Sequence, residues 1–115
     1  MLCPNVDLCQ QVVEVAHSLR GAGGASLARA AFVSSSSPPP RTPVDIVVST
    51  PGALDTLLTE FGGAFGREWS AEGLAQRVRH FVADEADAMV VSDSYWQPMC
   101  RLLDVRLPRC AQHWI

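Results

Sequence analysis

Phe81-Val82-Ala83-Asp84-Glu85-Ala86-Asp87, left through Met89-Val90-Val91, decides how this chain is read. The apolar approach suits a short buried strand, and carboxylates stand where that strand ends. Open α/β sheets place their ligand-handling groups there, outside the carboxyl ends of the strands. One carboxylate can hold Mg²⁺ through water and a second can orient an attacking water, which is the chemistry nucleotide hydrolysis requires. At average residue usage, Asp-Glu-Ala-Asp should arise in a chain of this length on the order of once in several hundred sequences. Without that chemistry, the same residues are a solvated acidic turn closing a strand.

Working outward, Asp45 to Ser49 carries the continuous apolar run Ile46-Val47-Val48, suited to a strand covered on both faces. Pro51 follows at the first turn of a helix, where its missing N–H does no harm. Leu54, Leu57, Leu58 and Phe61 make the buried stripe of that helix, and Gly62-Gly63 breaks it. Upstream, Met1-Leu2-Cys3 reads as a strand stub and Pro4-Asn5 as the turn into a helix from about Val6 to Arg20. Asn5 is placed to cap it, and Gly21 to stop it. Ser26 to Val33 is a short alanine-rich strand. Residues 34–43 are Ser/Pro-rich, and prolines that fix φ and lack a donor make an exposed loop. Downstream, Glu68 to Val78 is a second helix, Arg79 to Ala83 the strand that feeds the acidic turn, and Tyr95, Met99, Leu102 and Leu103 mark a last helix ended by Pro108. Alternating strands and helices predict an α/β fold with a mostly parallel sheet flanked by helices.

Composition sets limits on function. With 48% hydrophobic residues, 18% charged and a net charge of −3, the 115 residues suit one globular domain. All nine basic residues are scattered arginines, and there is no lysine. A P-loop needs a lysine to reach the β- and γ-phosphates, so the P-loop is absent from these residues. Cys3, Cys9, Cys100 and Cys110 form no metal-ligand spacing and read as buried reduced thiols. His17, His80 and His113 form no ligand motif. No signal peptide or membrane span is expected.

The acidic turn, together with Val44-Asp45-Ile46-Val47-Val48-Ser49-Thr50-Pro51-Gly52-Ala53-Leu54 and Pro4-Asn5-Val6-Asp7-Leu8-Cys9, resembles the DEAD-box ATP-dependent RNA helicases. These stretches match, in the family's order, its Asp-Glu-Ala-Asp, Thr-Pro-Gly-Arg and Pro-Thr-Arg-Glu-Leu-Ala segments. The resemblance implies that residues 1–115 form a partial RecA-like helicase ATP-binding domain, a fragment or divergent remnant of a helicase. The complete protein would couple Mg-ATP hydrolysis to RNA binding and duplex unwinding. By the same resemblance Asp84 holds Mg²⁺ through water, Glu85 orients the hydrolytic water, and Asp87 couples the nucleotide site to the rest of the enzyme. Thr50, Pro51 and Gly52, with Pro4 and Asn5, face RNA phosphates. Ala53 and Val6 stand where the family has arginines, and Asp7 is a shortened glutamate. Read plainly, Thr50-Pro51-Gly52 is also an ordinary strand-to-helix turn, and Asn5 and Asp7 are simple helix caps.

The interval from Thr50 to Asp84 exceeds the family's spacing, which marks residues 62–70 as a surface insertion. ATP, Mg²⁺ and RNA are the implied partners, in an intracellular setting such as nucleus or cytoplasm. The family's Ser-Ala-Thr strand is expected to be incomplete here, leaving an open sheet edge beside the Asp84 strand with Phe81 and Val82 exposed. A partner would then supply the missing strand. Two other readings stay open: a non-catalytic protein- or RNA-interaction module derived from a helicase domain, and an unrelated small α/β protein.

Overall fold

Five parallel segments lie side by side in the computed structural model, which describes residues 1–34, 36–106 and 111–115. Strand β1 (Ala30–Phe32) pairs with β2 (Ile46–Val48), and β3 (His80–Ala83) pairs with β4 (Ala111–Trp114), both in parallel. Leu2 joins the two ladders by parallel bridges to Ser49 and to Ala83. Its N–H donates to the Val82 carbonyl at 2.7 Å, and Asp84 N–H donates back to the Leu2 carbonyl at 2.9 Å. On the other side Cys3 N–H donates to Ser49 and Ser49 N–H to Met1, at 3.0 and 3.1 Å. The spatial order is therefore β1, β2, the Leu2 segment, β3, β4. The expected α/β fold with a mostly parallel sheet is what forms.

The helices follow from local chemistry. Helix α1 (Val6–Ser18) opens on Asn5, whose Oδ1 accepts from Leu8 N–H at 2.9 Å. Its inner face packs on β1 and β2 through Cys9, Leu8, Val12 and Val13, around buried Cys3 and Val48. His17 adds a tie, its Nε2 lying 3.0 Å from the Ala30 carbonyl. Helix α2 (Pro51–Glu60) has proline in its first turn and Thr50 as cap, the hydroxyl accepting from Ala53 N–H at 3.3 Å. Helix α3 (Ala71–Arg77) is capped by Ser70, helix α4 (Ala86–Val90) begins inside the acidic motif, and α5 (Asp93–Arg101) runs into a wider turn at Leu102–Arg106.

The main core gathers Leu54, Leu57 and Leu58 of α2 with Leu74, Phe81, Met89, Met99 and Leu102. Phe61 departs from the expected stripe. It caps α2, is 36% exposed, and packs on Phe65 with ring centroids 6.0 Å apart. Trp69, within the segment 62–70, is buried at 4% exposure, and its indole N–H donates to the Pro40 carbonyl at 3.3 Å. That bond pins the Ser/Pro-rich loop to the core. The residues around Trp69, from Gly62 to Ala64 and at Arg67 and Glu68, lie on the surface. Pro108, Ser35 and Cys110, the last read as a buried thiol, fall outside the described residues.

The expected open edge beside the Asp84 strand is corrected. Strand β4 covers it: Ala83 pairs with Trp114, Phe81 packs near the Trp114 ring at 6.2 Å between centroids, and Phe81 is only 3% exposed. All of β4 is exposed instead.

Burial also fixes the chemistry of the thiols. Cys3 and Cys9 are fully enclosed, whereas Cys100 is partly open. Loss of water pushes the Cys9 thiol up to about 12, reinforced by the adjacent Cys3, and pushes Cys3 upward as well. Because the folded state keeps a proton that the unfolded chain releases, this contribution to stability is complete below the ordinary thiol value of 9.0. It is lost as pH rises from there toward about 12. Alkylation of the native chain at neutral pH, followed by peptide mass spectrometry, should therefore modify Cys100 well before Cys3 or Cys9. Equal rates would mean that the α1–sheet contact opens readily.

Candidate functional site

Parallel strands end at a common edge, and that edge assembles the residues in question. In sheet order it carries Thr50-Pro51-Gly52 after β2, Pro4-Asn5 after the Leu2 segment, and Asp84-Glu85 after β3. The Asp84 N–H bond to Leu2 locks the acidic turn to the Pro4-Asn5 turn.

The acidic turn has an unusual backbone. Glu85 adopts φ 52° and ψ 48°, the only positive φ at a non-glycine residue among those described. A side chain in this left-handed region costs roughly 1–2 kcal/mol, so the surroundings must hold it. They do so through three contacts. Asp84 Oδ1 accepts from Glu85 N–H at 3.0 Å, Ala88 N–H donates to the Glu85 carbonyl at 3.1 Å, and Ala86 N–H donates to the Ile115 carbonyl at 2.9 Å. The last contact makes β4 part of the turn's support. Asp84 ends half-buried with one oxygen occupied, while Glu85 and Asp87 are exposed. Asp87 lies in the first turn of α4, and its side chain makes no hydrogen bond or ion pair among the described residues.

Among the described residues no group of three or more His, Cys, Asp or Glu side chains is arranged to hold a metal ion. The turn instead offers the single partly open carboxylate of Asp84, backed by a backbone donor. That donor set fits a hydrated magnesium ion, which keeps several waters and takes one or two carboxylates beside phosphate oxygens.

On the other turns, the side-chain oxygens of Asn5 and Thr50 are occupied as helix caps, which leaves the Asn5 amide N–H groups and the Thr50 O–H as donors. An added Cβ at Gly52 would meet open space, so the outer side of the first turn of α2 is bare. Helix starts present free N–H groups and partial positive charge, which favour anionic oxygens. Pro4 and Pro51 are buried and act as backbone stiffeners.

Sequence reading missed the tie behind this edge. Asp55 of α2 lies mostly buried, and its Oδ2 accepts from Arg101 Nε at 2.9 Å and Nη2 at 2.8 Å. The bond in turn raises the Arg101 pKa. These residues stand 46 apart with no local motif, so only the packing of α2 on α5 reveals them.

The sequence profile of the DEAD/DEAH box helicase family matches residues 1–110. The chain belongs to that family. DEAD-box ATP-dependent RNA helicase 22 of Oryza sativa subsp. japonica is 38% identical to it over 103 residues, covering 90% of this chain and 17% of that protein. The protein of the same name from Arabidopsis thaliana is 36% identical over 105 residues, covering 91% and 17%. No solved structure matches. The DEAD-box chain described here thus spans about a sixth of the length of these relatives, and its α/β fold is part of a RecA-like domain. No helix among its described residues is long and apolar enough to cross a membrane.

Proposed function

We propose that this chain supplies the acidic turn and part of the RNA-facing edge of an ATP-dependent RNA helicase, and that the phosphate cradle comes from polypeptide outside these 115 residues. The observation that carries the reading is the shared edge, where Asp84 N–H is bonded to Leu2 one residue before the turn that leads through Pro4-Asn5 into α1. In this reading Asp84 holds hydrated Mg²⁺, which supplies charge neutralisation on the phosphates when bound. Glu85, projected by its left-handed backbone, orients the attacking water. Asp87, exposed in the first turn of α4, passes the nucleotide state to neighbouring parts of the enzyme. Thr50 and the start of α2, with Pro4-Asn5 at the start of α1, receive RNA phosphates through hydroxyl and N–H donors. The whole operates inside the cell, where ATP and RNA are found. Residues 62–70 form an insertion anchored by Trp69.

Lack of a lysine limits what the chain does alone. Steady-state assays of the 115-residue polypeptide with single-stranded RNA should show ATP hydrolysis at background, because phosphate positioning dominates this chemistry. RNA affinity in the same preparation should be weak and fall steeply with salt, since Val6 and Ala53 replace arginines and only backbone phosphates are contacted. Turnover that disappears in Glu85→Gln would show that a complete cradle exists within the chain. Salt-insensitive tight binding would favour a dedicated interaction module.

A further inference from the structure

His80 and His113 meet across the β3–β4 ladder. The parallel register sets His80 beside Ala111 and Val82 beside His113, which makes the two imidazoles diagonal neighbours on one face of the sheet. Phe81 turns to the opposite face, where it is buried. Both histidines are exposed, with Nδ1 of His80 3.1 Å from Nε2 of His113 and ring centroids 5.4 Å apart. One ring supplies the N–H of this contact and the other the lone pair. A hydrogen bond open to water contributes little net stability, so the pairing does little for the fold itself.

The structure assigns to this pair a site for a transition-metal dication of the zinc class, held by two imidazoles from adjacent strands. With the nitrogens 3.1 Å apart, an ion about 2.0–2.1 Å from each is gripped at an angle of about 95–102°. That lies between the octahedral and tetrahedral angles, and rotation of the two exposed rings aims both lone pairs at the ion. No proton has to leave a pair of neutral rings. The ring that donated shifts its proton from the facing nitrogen to its outer one, so His80 coordinates through Nδ1 and His113 through Nε2. Imidazole nitrogen suits zinc, nickel and copper, whereas Mg²⁺ takes oxygen ligands, so this site and the acidic turn select different ions. No third His, Cys, Asp or Glu joins the pair among the described residues, so water fills the remaining positions and the ion exchanges readily.

The ion would clip β4 to β3, and β4 is what the acidic turn leans on. Two residues past His113, Ile115 N–H donates to the Ala83 carbonyl at 2.9 Å and the Ile115 carbonyl accepts from Ala86 N–H at 2.9 Å. All four residues of β4 are exposed, so little buried side-chain area holds the strand in place. A bridge from His113 to His80 therefore adds a second tie just ahead of the bonds that support the left-handed backbone at Glu85. Bound metal restrains the turn through β4 without touching its carboxylates.

The test titrates Zn²⁺ into the 115-residue chain, its accessible thiols alkylated beforehand, and follows the imidazole nitrogens by NMR. His80 Nδ1 and His113 Nε2 should shift together, while the His17 ring, tied to Ala30, stays put. Excess Mg²⁺ should not reverse the change. His80→Gln and His113→Gln should each weaken zinc binding at least about tenfold, since the remaining ring loses its linked partner. Without zinc both variants should unfold within about 2 °C of the parent, because the residues are exposed. Zinc should slow exchange of the Ala86 amide at least about fivefold more than that of the Leu8 amide, which lies at the start of α1. Equal affinity in either variant, or a His17 shift in step with the other two, would overturn the site. Paired binding that leaves Ala86 exchange unchanged would overturn the clip.

Discussion

Grafted in place of the matching segment of the rice relative, this chain is expected to support RNA-dependent ATP hydrolysis that falls about 10²–10⁴-fold in Glu85→Gln. In the proposed reading the rest of the recipient protein supplies the cradle, and the chain supplies the water-orienting carboxylate. Glutamine preserves size and the backbone bonds of the turn but cannot accept a proton or hold the water with the same strength. Glu85 is exposed and its side chain forms no intramolecular hydrogen bond among the described residues, so thermal unfolding of the graft should not change. Asp84→Asn should also reduce turnover, with a raised magnesium requirement, because one neutral amide oxygen replaces the carboxylate proposed to hold the metal. Full turnover in both variants would remove the acidic turn from catalysis. Loss of turnover with a large drop in unfolding temperature would reduce it to a structural element.

Gly73→Ala is expected to destabilise the chain by about 2–4 kcal/mol, the reverse of what helix propensity alone gives. In an open helix the exchange gains about 1 kcal/mol. Here an added Cβ at Gly73 would sit 2.1 Å from the Arg67 carbonyl oxygen and 3.0 Å from Arg67 C and Glu68 Cα, all backbone atoms. That carbonyl is held in place, accepting from Ser70 N–H at 3.2 Å and Ser70 Oγ at 2.6 Å. Ser70 Oγ in turn caps α3 by accepting from Gly73 N–H at 3.0 Å. Relieving the clash costs about 1–3 kcal/mol in overpacking and breaks a cap worth about 1 kcal/mol. It also shifts Trp69, the residue that anchors the Ser/Pro-rich loop. Thermal unfolding should fall by roughly 10–15 °C. A higher midpoint in Gly73→Ala would show that the Arg67 turn moves freely.

The elements with strong local chemistry were legible in the sequence. Ile46-Val47-Val48, Pro51 after Thr50, and Asn5 ahead of an apolar helical stripe each announce their structure through side-chain shape or a missing donor. Strand β4 was not legible, because Ala-Gln-His-Trp has no β-branched residue and no buried face to impose alternation. Helix α4 was hidden by Met89-Val90-Val91, whose apolar run obscures a short helix with only Met89 fully buried. Of the site, the acidic residues were visible as a word and the caps as turns. Their order along one edge was not, because sheet order depends on contacts between distant segments. The left-handed Glu85 was equally hidden, since two of the three bonds that hold it, to Ala88 N–H and from Ala86 N–H to the Ile115 carbonyl, are backbone bonds that carry no side-chain signature.

Leu2 sets how cooperatively the molecule unfolds. Among the described residues, every backbone hydrogen bond that joins the β1–β2 ladder to the β3–β4 ladder runs through Met1, Leu2 and Cys3. Each ladder keeps its own hydrogen bonds if that segment lifts away, so the sheet is one cooperative unit only while a few amides stay closed. Sub-global opening needs their release together with parting of the core that α2 shares with Phe81, Met89 and Met99. Such a seam separates the acidic turn from Thr50-Pro51-Gly52 along the line that, in the proposed function, a signal between nucleotide and RNA would cross.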